Sequence, residues 1–401
     1  AVFAGTIASI FVLITRQISD PREISIFISH IRFGLTICFS VFILIYFLWF
    51  NIYKSLTSKI ILAIGVLWFL LFLFILESIT GLVITGILAL IFTFYLIFKI
   101  NPVKYRIPTI LITLLFPALF GYYFVSSVRE FSNAEKFDYS KLDKYTKYGT
   151  PYIHDTCTYG IDNGKYVGIY LAPAELRQEW NRRSKLDYDG LDKKGQELSY
   201  TLIRFLNSKG LRKDAEGVKA LTDSEIKHIE QGVANVTYIE SFNLRSRIDQ
   251  IAMGYTNYVR HGDPNASSVM QRVEYWKTSA HIIKQNWLTG VGTGDLNLEF
   301  SKAYTEMGSK LDNAFRNRSH NQFMAFFIAF GILGFLWFLF SLLYPPLKLG
   351  KFNDYFFVVF FTIIFMSMLT EDTLETQAGA TFFAFFNALL LFGRKLNKTA
   401  S

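Results

Sequence analysis

The residue best suited to acid-base chemistry is His320, in the polar run Arg316-Asn317-Arg318-Ser319-His320-Asn321-Gln322. A long apolar stretch follows this run, so His320 is expected at a boundary between water and lipid. Imidazole can accept a proton near neutral pH, and a boundary histidine facing a cleft is suited to deprotonating a hydroxyl group. The alternative interpretation is an interfacial histidine that only caps the start of a helix.

A second polar segment carries Arg272, Glu274 and Trp276, followed by Gly290-Val291-Gly292-Thr293-Gly294. Arg272 and Trp276 share one face of a predicted helix. A glycine-rich loop can approach phosphate closely, but this one follows a helix and lacks Gly-Lys-Ser/Thr, so it fits neither a P-loop nor a dinucleotide fingerprint. Alternatively, the glycines only form a tight turn, and Arg272 pairs with Glu274 or another acid.

A third segment runs from Pro21 to Gly34 and contains His30 and Arg32. Guanidinium binds phosphate through a planar fork and keeps its charge at any working pH. An arginine close to lipid is therefore a candidate diphosphate ligand. The alternative is that the Arg32 side chain simply extends to the membrane surface.

The composition of the chain indicates an integral membrane protein. Of its 401 residues, 51% are hydrophobic, only 18% are charged, and 41 are phenylalanine, well above the apolar share of a soluble domain. The net charge of +9 does not indicate nucleic-acid binding, because the basic residues are dispersed without interleaved aromatic residues. Cys38 lies in an apolar segment and Cys157 in a polar one, so no disulfide is expected.

Seven apolar stretches are long enough, or nearly so, to cross a hydrocarbon core of about 30 Å. They comprise residues 33–50, 60–76, 82–98, 107–125, 322–343, 355–369 and 378–392. A partial span at residues 2–14 brings the total to about eight. Because Ala1 is not methionine, additional upstream spans are expected.

Basic residues cluster in alternate connections, as is typical of the cytoplasmic side. The clusters are Lys54 with Lys59, Lys99 with Lys104 and Arg106, Lys348 with Lys351, and Arg394 with Lys395 and Lys398. By elimination, a large loop lies on the outer face, which in a bacterium is the periplasm, together with the short segments around residues 16–32, 77–80 and 371–377. We therefore predict an all-α, multi-pass membrane bundle: about five spans in residues 1–127, a periplasmic domain at 128–319, three spans at 320–393, and a cytoplasmic tail at 394–401.

Local signals inside the large loop are helical more than strand-like. Thr222-Asp223-Ser224-Glu225 fits a capping box that opens a helix at 225–231, and residues 173–185 and 196–207 have helical apolar spacing. Asn163-Gly164 is a tight-turn signal, which predicts a short hairpin within residues 157–170. The periplasmic domain is therefore expected to be mainly helical.

The order of these motifs resembles that of the O-antigen ligase and polymerase family. In chain order the motifs are Phe27-Ile28-Ser29-His30, the large loop, Arg272 with Glu274 and Trp276, Gly290-Val291-Gly292-Thr293-Gly294, and Ser319-His320-Asn321 before Gly331-Ile332-Leu333-Gly334. The resemblance spans most of the chain, is strongest from Arg272 to Gly334, and is specific mainly as an ordered set. The periplasmic segment, including Glu175-Leu176 and Trp180, looks like the version found in Bacteroidota.

The resemblance implies a GT-C-like glycosyltransferase of the bacterial inner membrane that needs neither a metal nor a cofactor. Such an enzyme transfers a glycan from undecaprenyl diphosphate to an acceptor in the periplasm, with inversion at the anomeric carbon. By this resemblance His320 takes the proton of the acceptor hydroxyl, while Arg272, with Arg32, Arg129 or Arg318, holds the diphosphate. The residues expected to contact the acceptor or to support the site are His30, Asn321, Glu274, Trp276, Gly290 and Gly292.

The sequence departs from the family at one point. Many members carry Ser-Arg at the outer start of the span corresponding to residues 82–98, whereas this chain reads Ser78-Ile79-Thr80-Gly81. An expected phosphate-binding arginine is therefore absent. Arg32 is the preferred substitute, and Arg129 is the alternative.

Three acceptors are compatible with this interpretation. Lipid A core would make the protein a ligase, which we prefer; another lipid-linked glycan would make it a polymerase, and a protein Ser/Thr an oligosaccharyltransferase. A different class of function is a transporter of lipid-linked sugar, which favours charges near the bilayer midplane and repeat symmetry. The predicted spans lack midplane charges and the polar candidates gather at one face, so we expect an enzyme whose partners are these substrates and membrane lipids.

Overall fold

A computed structural model describes residues 1–16, 21–99, 103–132, 138–162, 164–239, 244–265 and 267–393. The helices are α1 (Val2–Thr15), α2 (His30–Trp49), α3 (Leu56–Ile75), α4 (Ile79–Ile97), α5 (Arg106–Ser132), α6 (Pro173–Arg183), α7 (Leu198–Ser208), α8 (Ala215–Lys219), α9 (Asp223–Glu230), α10 (Leu244–His261), α11 (Ser268–Asn286), α12 (Leu296–Glu306), α13 (Gln322–Lys348), α14 (Tyr355–Thr370) and α15 (Gln377–Ala388). The strands are β1 (Ile153–Asp155), β2 (Ile161–Asp162), β3 (Lys165–Tyr166) and β4 (Gly168–Leu171). The predicted tail at 394–401, with its basic cluster, lies outside the described residues.

Apolar helices dominate the described part of the chain. Five are long and apolar enough to cross a membrane, namely α2, α3, α4, the helical segment Val103–Glu130 that contains most of α5, and α13. Three shorter apolar helices are α1, α14 and the stretch Gln377–Gly393. Each apolar stretch of the sequence coincides with one of these helices, which confirms the helical membrane architecture. The GT-C-like arrangement and the periplasmic placement of the loop stay predictions.

The chain divides into two compact units, and the first comprises residues 1–114 and 271–401. Its core surrounds α2, which packs against α3, α4 and α14; Ile37 and Phe360 are among its fully buried side chains. The hydroxyl of Tyr355, at the start of α14, donates to the carbonyl of Phe42 in the second half of α2 (2.9 Å). At the other end, Ser367 of α14 and Arg32 of α2 line one small cavity, so the end of α14 lies beside the beginning of α2 and the two helices run antiparallel.

The second unit comprises residues 115–270 and contains α6 to α10 with four short strands. Its core is built around Trp180 and Phe205, both fully buried. Strands β2 and β3 form an antiparallel hairpin, as expected, although Asn163 at its predicted turn lies outside the described residues. The capping box of Thr222 and Glu225 opens α9 and is confirmed, and α6 and α7 occupy the predicted helical segments.

Helix α13 differs from the uninterrupted span that hydropathy predicts. Its backbone is non-helical at Gly331, with φ 62° and ψ −168°. The rings of Phe323 and Phe338 have centroids 5.9 Å apart, whereas a straight helix rising 1.5 Å per residue would separate these positions by about 22 Å. The two halves of α13 therefore fold back against each other at Gly331.

Candidate functional site

The centre of the site is a carboxylate, Glu371, that contacts both His320 and Arg272. A guanidinium nitrogen of Arg272 donates to Glu371 Oε1 (3.1 Å), and His320 Nδ1 lies 3.5 Å from Glu371 Oε2. Arg272 comes from the first turns of α11, His320 immediately precedes the Asn321 cap of α13, and Glu371 follows the last residue of α14. The Tyr275 ring lies beside His320, with centroids 5.4 Å apart. The fold thus brings the two predicted catalytic residues together.

The backbone at His320 is held in an uncommon conformation. Its φ of 44° lies in the left-handed region, which costs a residue with a Cβ atom about 1–2 kcal/mol. The next residue, Asn321, caps α13, because its side-chain oxygen accepts from the amides of Phe323 (3.0 Å) and Met324 (3.1 Å). His320 is therefore fixed by a sharp turn at the entry to a helix.

The connection between α14 and α15 fastens this turn. Asp372 Oδ1 accepts from the hydroxyl of Ser319 (3.2 Å) and from the amide of Asn321 (3.0 Å). The amide of Leu374 donates to Gln322 Oε1 (2.6 Å). Because Glu371 directly precedes Asp372, the same bonds that hold the turn also hold the carboxylate in place.

The environment of Glu371 favours its ionised form. Burial of its side chain, which is 16% exposed, raises the pKa. The hydrogen bond and charge of His320, followed by those of Arg272, outweigh this effect, so the pKa of Glu371 is lowered. Glu371 is therefore expected to carry a negative charge throughout the physiological range.

Arg318 forms a separate ion pair beside this centre. Its Nη1 lies 2.6 Å from Glu375 Oε2 in the α14–α15 connection. Burial and the nearby charge of Asp372 raise the pKa of Glu375, and Arg318 opposes that shift. Protonation of Glu375 would therefore release Arg318 more readily than protonation of Glu371 would release Arg272.

Arg32 lies at a junction of two cavities. Its guanidinium donates to the hydroxyl of Ser29 (3.0 Å), and it lines a small cavity of about 20 Å³ together with Glu371 and Thr373. Arg32 and Thr373 also line a cavity of about 570 Å³. The apolar lining of the larger cavity includes Phe27, Ile28, Leu35, Phe382, Phe385 and Phe386. Arg32 therefore lines both the small cavity that contains Glu371 and the larger apolar cavity.

The remaining predicted residues occupy varied positions. Glu274 is buried and accepts from Ser309 Oγ (2.8 Å) and Lys277 Nζ (3.5 Å). Trp276 is exposed on α11, and half-buried His30 is the first residue of α2. Arg129 is exposed in the last turn of α5 and belongs to the second unit.

Ser78, which stands where many family members carry Ser-Arg, is a helix cap. Its buried hydroxyl accepts from the amide of Gly81 (3.2 Å) at the start of α4. Gly290 and Gly292 lie in the connection between α11 and α12. Backbone amides of this connection donate to carbonyls of α13 next to its break at Gly331. These positions indicate support of local structure by Ser78 and by the loop.

The acids of the α14–α15 connection were not among the sequence-based candidates. Glu371, Asp372 and Glu375 all contact predicted residues or their neighbours. The available signal was the concentration of three acids in five residues between two apolar helices on the predicted outer face. Charged groups at such a boundary are costly unless they are paired, and they therefore indicate a polar site.

The fold and this charged cluster define a helical membrane protein with a polar site at its helix ends. Residues 224–339, less than a third of the chain, match the family profile described as O-antigen ligase, so this segment is similar to that family. The matched segment contains Arg272, Gly290 and His320, whereas Arg32 and Glu371 lie outside it. Comparison with curated proteins and with solved structures gave no match.

Replacing Glu371 with glutamine is expected to destabilise the first unit by about 1–3 kcal/mol, because Arg272 and His320 lose their shared partner. Folding lowers the pKa of Glu371 from its ordinary value of 4.5. Its stabilisation is therefore present above the unfolded pKa and is lost as the pH falls through the lower folded pKa. Thermal unfolding in detergent should show the difference from wild type near neutral pH, and the difference should shrink in acid.

The matched control is Glu306→Gln, since Glu306 contacts His281 at 3.3 Å in a more exposed pair. Its effect on the free energy of unfolding should be below about 1 kcal/mol. Equal losses for the two variants would contradict the central role of Glu371 in the packing of the site.

Proposed function

We propose that this chain is an inverting membrane glycosyltransferase that transfers a glycan from undecaprenyl diphosphate to an acceptor on the periplasmic face of the inner membrane. The preferred acceptor is lipid A core, which makes the protein an O-antigen ligase. The observation that carries the proposal is the contact of one carboxylate, Glu371, with both His320 and Arg272. A polysaccharide polymerase and a protein O-oligosaccharyltransferase share the same chemistry and differ in the acceptor.

His320 has the role of general base in this proposal. With Nδ1 directed toward Glu371, Nε2 is the nitrogen that takes the proton of the acceptor hydroxyl. The hydroxyl oxygen forms a bond to the anomeric carbon as the bond from that carbon to the diphosphate oxygen breaks. The negative charge of Glu371 stabilises the imidazolium that forms, in the way that a carboxylate orients and supports a catalytic histidine.

Arg272 and Arg32 have the role of holding the diphosphate as it departs. The side chain of Arg272 is 32% exposed, so it is not sealed inside the protein where it contacts Glu371. Arg32 lines a cavity with the same carboxylate. Because Arg272 already pairs with Glu371, an incoming diphosphate competes with this acid for the Arg272 guanidinium. The arginines stabilise the leaving group most strongly as it gains charge.

The apolar cavity beside Arg32 supports a lipid-linked donor. Its volume of about 570 Å³ and its phenylalanine-rich lining suit the first isoprene units of a polyprenyl chain. A diphosphate at Arg32 would then have its lipid on one side and the glycan toward His320. Metal independence follows in this proposal from the arginines, which supply the positive charge that a divalent cation supplies elsewhere.

The proposal is tested by giving the purified protein a glycan on undecaprenyl diphosphate together with lipid A core. Release of undecaprenyl diphosphate and a glycan-dependent mass increase of lipid A core are expected. Lipid-linked glycan and a Ser/Thr-containing acceptor protein serve as competing acceptors. A donor that stays intact with all three acceptors, while the protein is folded and binds the donor, would contradict a transferase function.

Deletion in the host separates ligase from polymerase. Loss of a ligase leaves long glycans on the carrier lipid and none on lipid A. Loss of a polymerase leaves lipid A that carries a single repeat. The second outcome would replace the preferred acceptor with another lipid-linked glycan.

A further inference from the structure

The break in α13 is occupied by the loop that follows α11. In an uninterrupted helix the carbonyls of Ile328 and Ala329 would accept from amides four residues ahead. Here they accept from the amides of Val291 (2.8 Å) and Gly292 (2.9 Å) instead. In return, the amide of Ile332 donates to the carbonyl of Trp287 (2.8 Å). The loop Trp287–Gly292 thus replaces the hydrogen bonds that α13 loses at its break.

Two glycines make this close approach possible. A Cβ atom on Gly290 would lie 2.5 Å from the Gly331 nitrogen and 2.6 Å from the Ala329 carbonyl oxygen. A Cβ atom on Gly331 would lie 2.2 Å from the carbonyl oxygen of Leu288. Both glycines also have positive φ, 71° and 62° respectively. Since the obstructing atoms are backbone atoms, a side chain at either position requires the two segments to move apart.

The loop contacts both segments that lead to the proposed catalytic residues. Arg272 lies on α11, whose end continues directly into the loop. His320 lies two residues before α13, whose first half contains Ile328 and Ala329. Ile282 of α11 and Ile328 of α13 are buried in one hydrophobic cluster with Tyr275, the residue beside His320. The loop is thus joined to α11 through the chain and to α13 through hydrogen bonds.

We propose that Gly290 and Gly331 are positioning residues, which seat the loop in the break of α13 and thereby set the placement of Arg272 relative to His320. This inference rests on the proposed glycosyltransferase function. In this inference the two glycines act by allowing close backbone packing and do not contact the diphosphate.

The test compares Gly290→Ala with Gly350→Ala. Both positions have positive φ, 71° and 62°, so the two variants share the backbone strain of a new Cβ atom. Gly350 follows α13 and lies outside the loop and the site, and of the two positions only Gly290 has atoms within 4 Å of that Cβ atom. We expect kcat of Gly290→Ala to fall about 100-fold through misplacement of the reacting groups, with a smaller change in the KM for donor, and Gly350→Ala to retain most of its activity.

The activity per folded molecule distinguishes positioning from a general loss of folded protein. A loss of folded protein lowers the apparent kcat in proportion to the folded fraction, whereas misplaced reacting groups lower kcat of the molecules that are folded. The folded fraction is measured by thermal unfolding in detergent, and kcat is measured on the same sample. A wild-type kcat per folded Gly290→Ala molecule, or equal losses in Gly290→Ala and Gly350→Ala, would overturn the inference.

A covalent tether tests the inference in protein that has already folded. Leu288 and Leu333 are exposed residues on the two sides of the contact. In a Cys157→Ser background, cysteines at both positions are joined with a short bifunctional reagent after purification. Retained glycan transfer by the tethered protein is expected, and abolished transfer would show that the loop must leave the break. Absence of transfer in untethered wild type would instead contradict the proposed function itself.

Discussion

Replacing His320 with alanine is expected to abolish detectable glycan transfer while the protein still inserts into the membrane. General-base catalysis contributes about 10²–10⁴-fold to rate, and His320 contacts the Glu371 carboxylate that would support it as a base. In the proposed mechanism the donor is bound mainly by the arginines and the apolar cavity, so the KM for donor should change little. The measurement is single-turnover transfer from a radiolabelled lipid-linked donor, together with surface glycan in the native host.

His281→Ala is the matched control for this variant. His281 also contacts a glutamate, with Nε2 3.3 Å from Glu306, and its side chain is 33% exposed, close to the 34% of His320. The His281→Ala variant is expected to transfer glycan at the wild-type rate. Normal surface glycan in the His320→Ala strain would exclude His320 from every essential step and would remove the basis of the proposed mechanism.

Replacing Arg272 with alanine should reduce kcat by about 10²–10³-fold, because one donor to a developing charge is lost. Arg272→Lys should recover only part of this loss, since an ammonium group keeps the charge but lacks the planar fork that matches a diphosphate. The change should appear in kcat more than in the KM for donor, because stabilisation is greatest when the leaving group has gained its charge.

Arg177→Ala serves as the control for Arg272→Ala, because Arg177 also pairs with an acid, Asp189, at 2.7 Å but on an exposed surface. Its activity should equal that of wild type. Full activity of Arg272→Lys would show that a simple positive charge suffices and would contradict fork-like binding. Unchanged activity of Arg272→Ala would contradict the proposed role of Arg272 in holding the diphosphate. Arg32 would then be the remaining candidate for that role.

Much of the helical architecture follows from hydropathy and helix-start signals. The apolar stretches, the capping box at Thr222 and the helices α6 and α7 could be predicted because these signals are local in sequence. The fold-back of α13 could not, since hydropathy remains continuous across Gly331 and glycine is tolerated inside apolar helices. The break depends on hydrogen bonds from a loop that lies about 40 residues earlier, which no local pattern reveals.

The site itself was partly predictable. His320 was selected by its residue type and boundary position together with the family resemblance, and Arg272 by its place in the ordered motifs of that resemblance. The two residues meet at one carboxylate. That carboxylate could not be assigned, because pairing between Arg272 and Glu371 spans 99 positions in the chain. Arg318 was predicted to hold diphosphate, and the structure places it in an ion pair with Glu375; its role with substrate stays a prediction.

The left-handed turn at His320 sets the thermal stability of the protein against the presence of an imidazole at this position. Glycine adopts φ near 44° at low cost, whereas a side-chain-bearing residue resists it. The His320 side chain therefore sits on a strained backbone conformation, and the surrounding hydrogen bonds offset the cost of that strain. Replacing His320 with glycine to relax this turn and raise thermal stability would remove the imidazole on which the proposed chemistry depends.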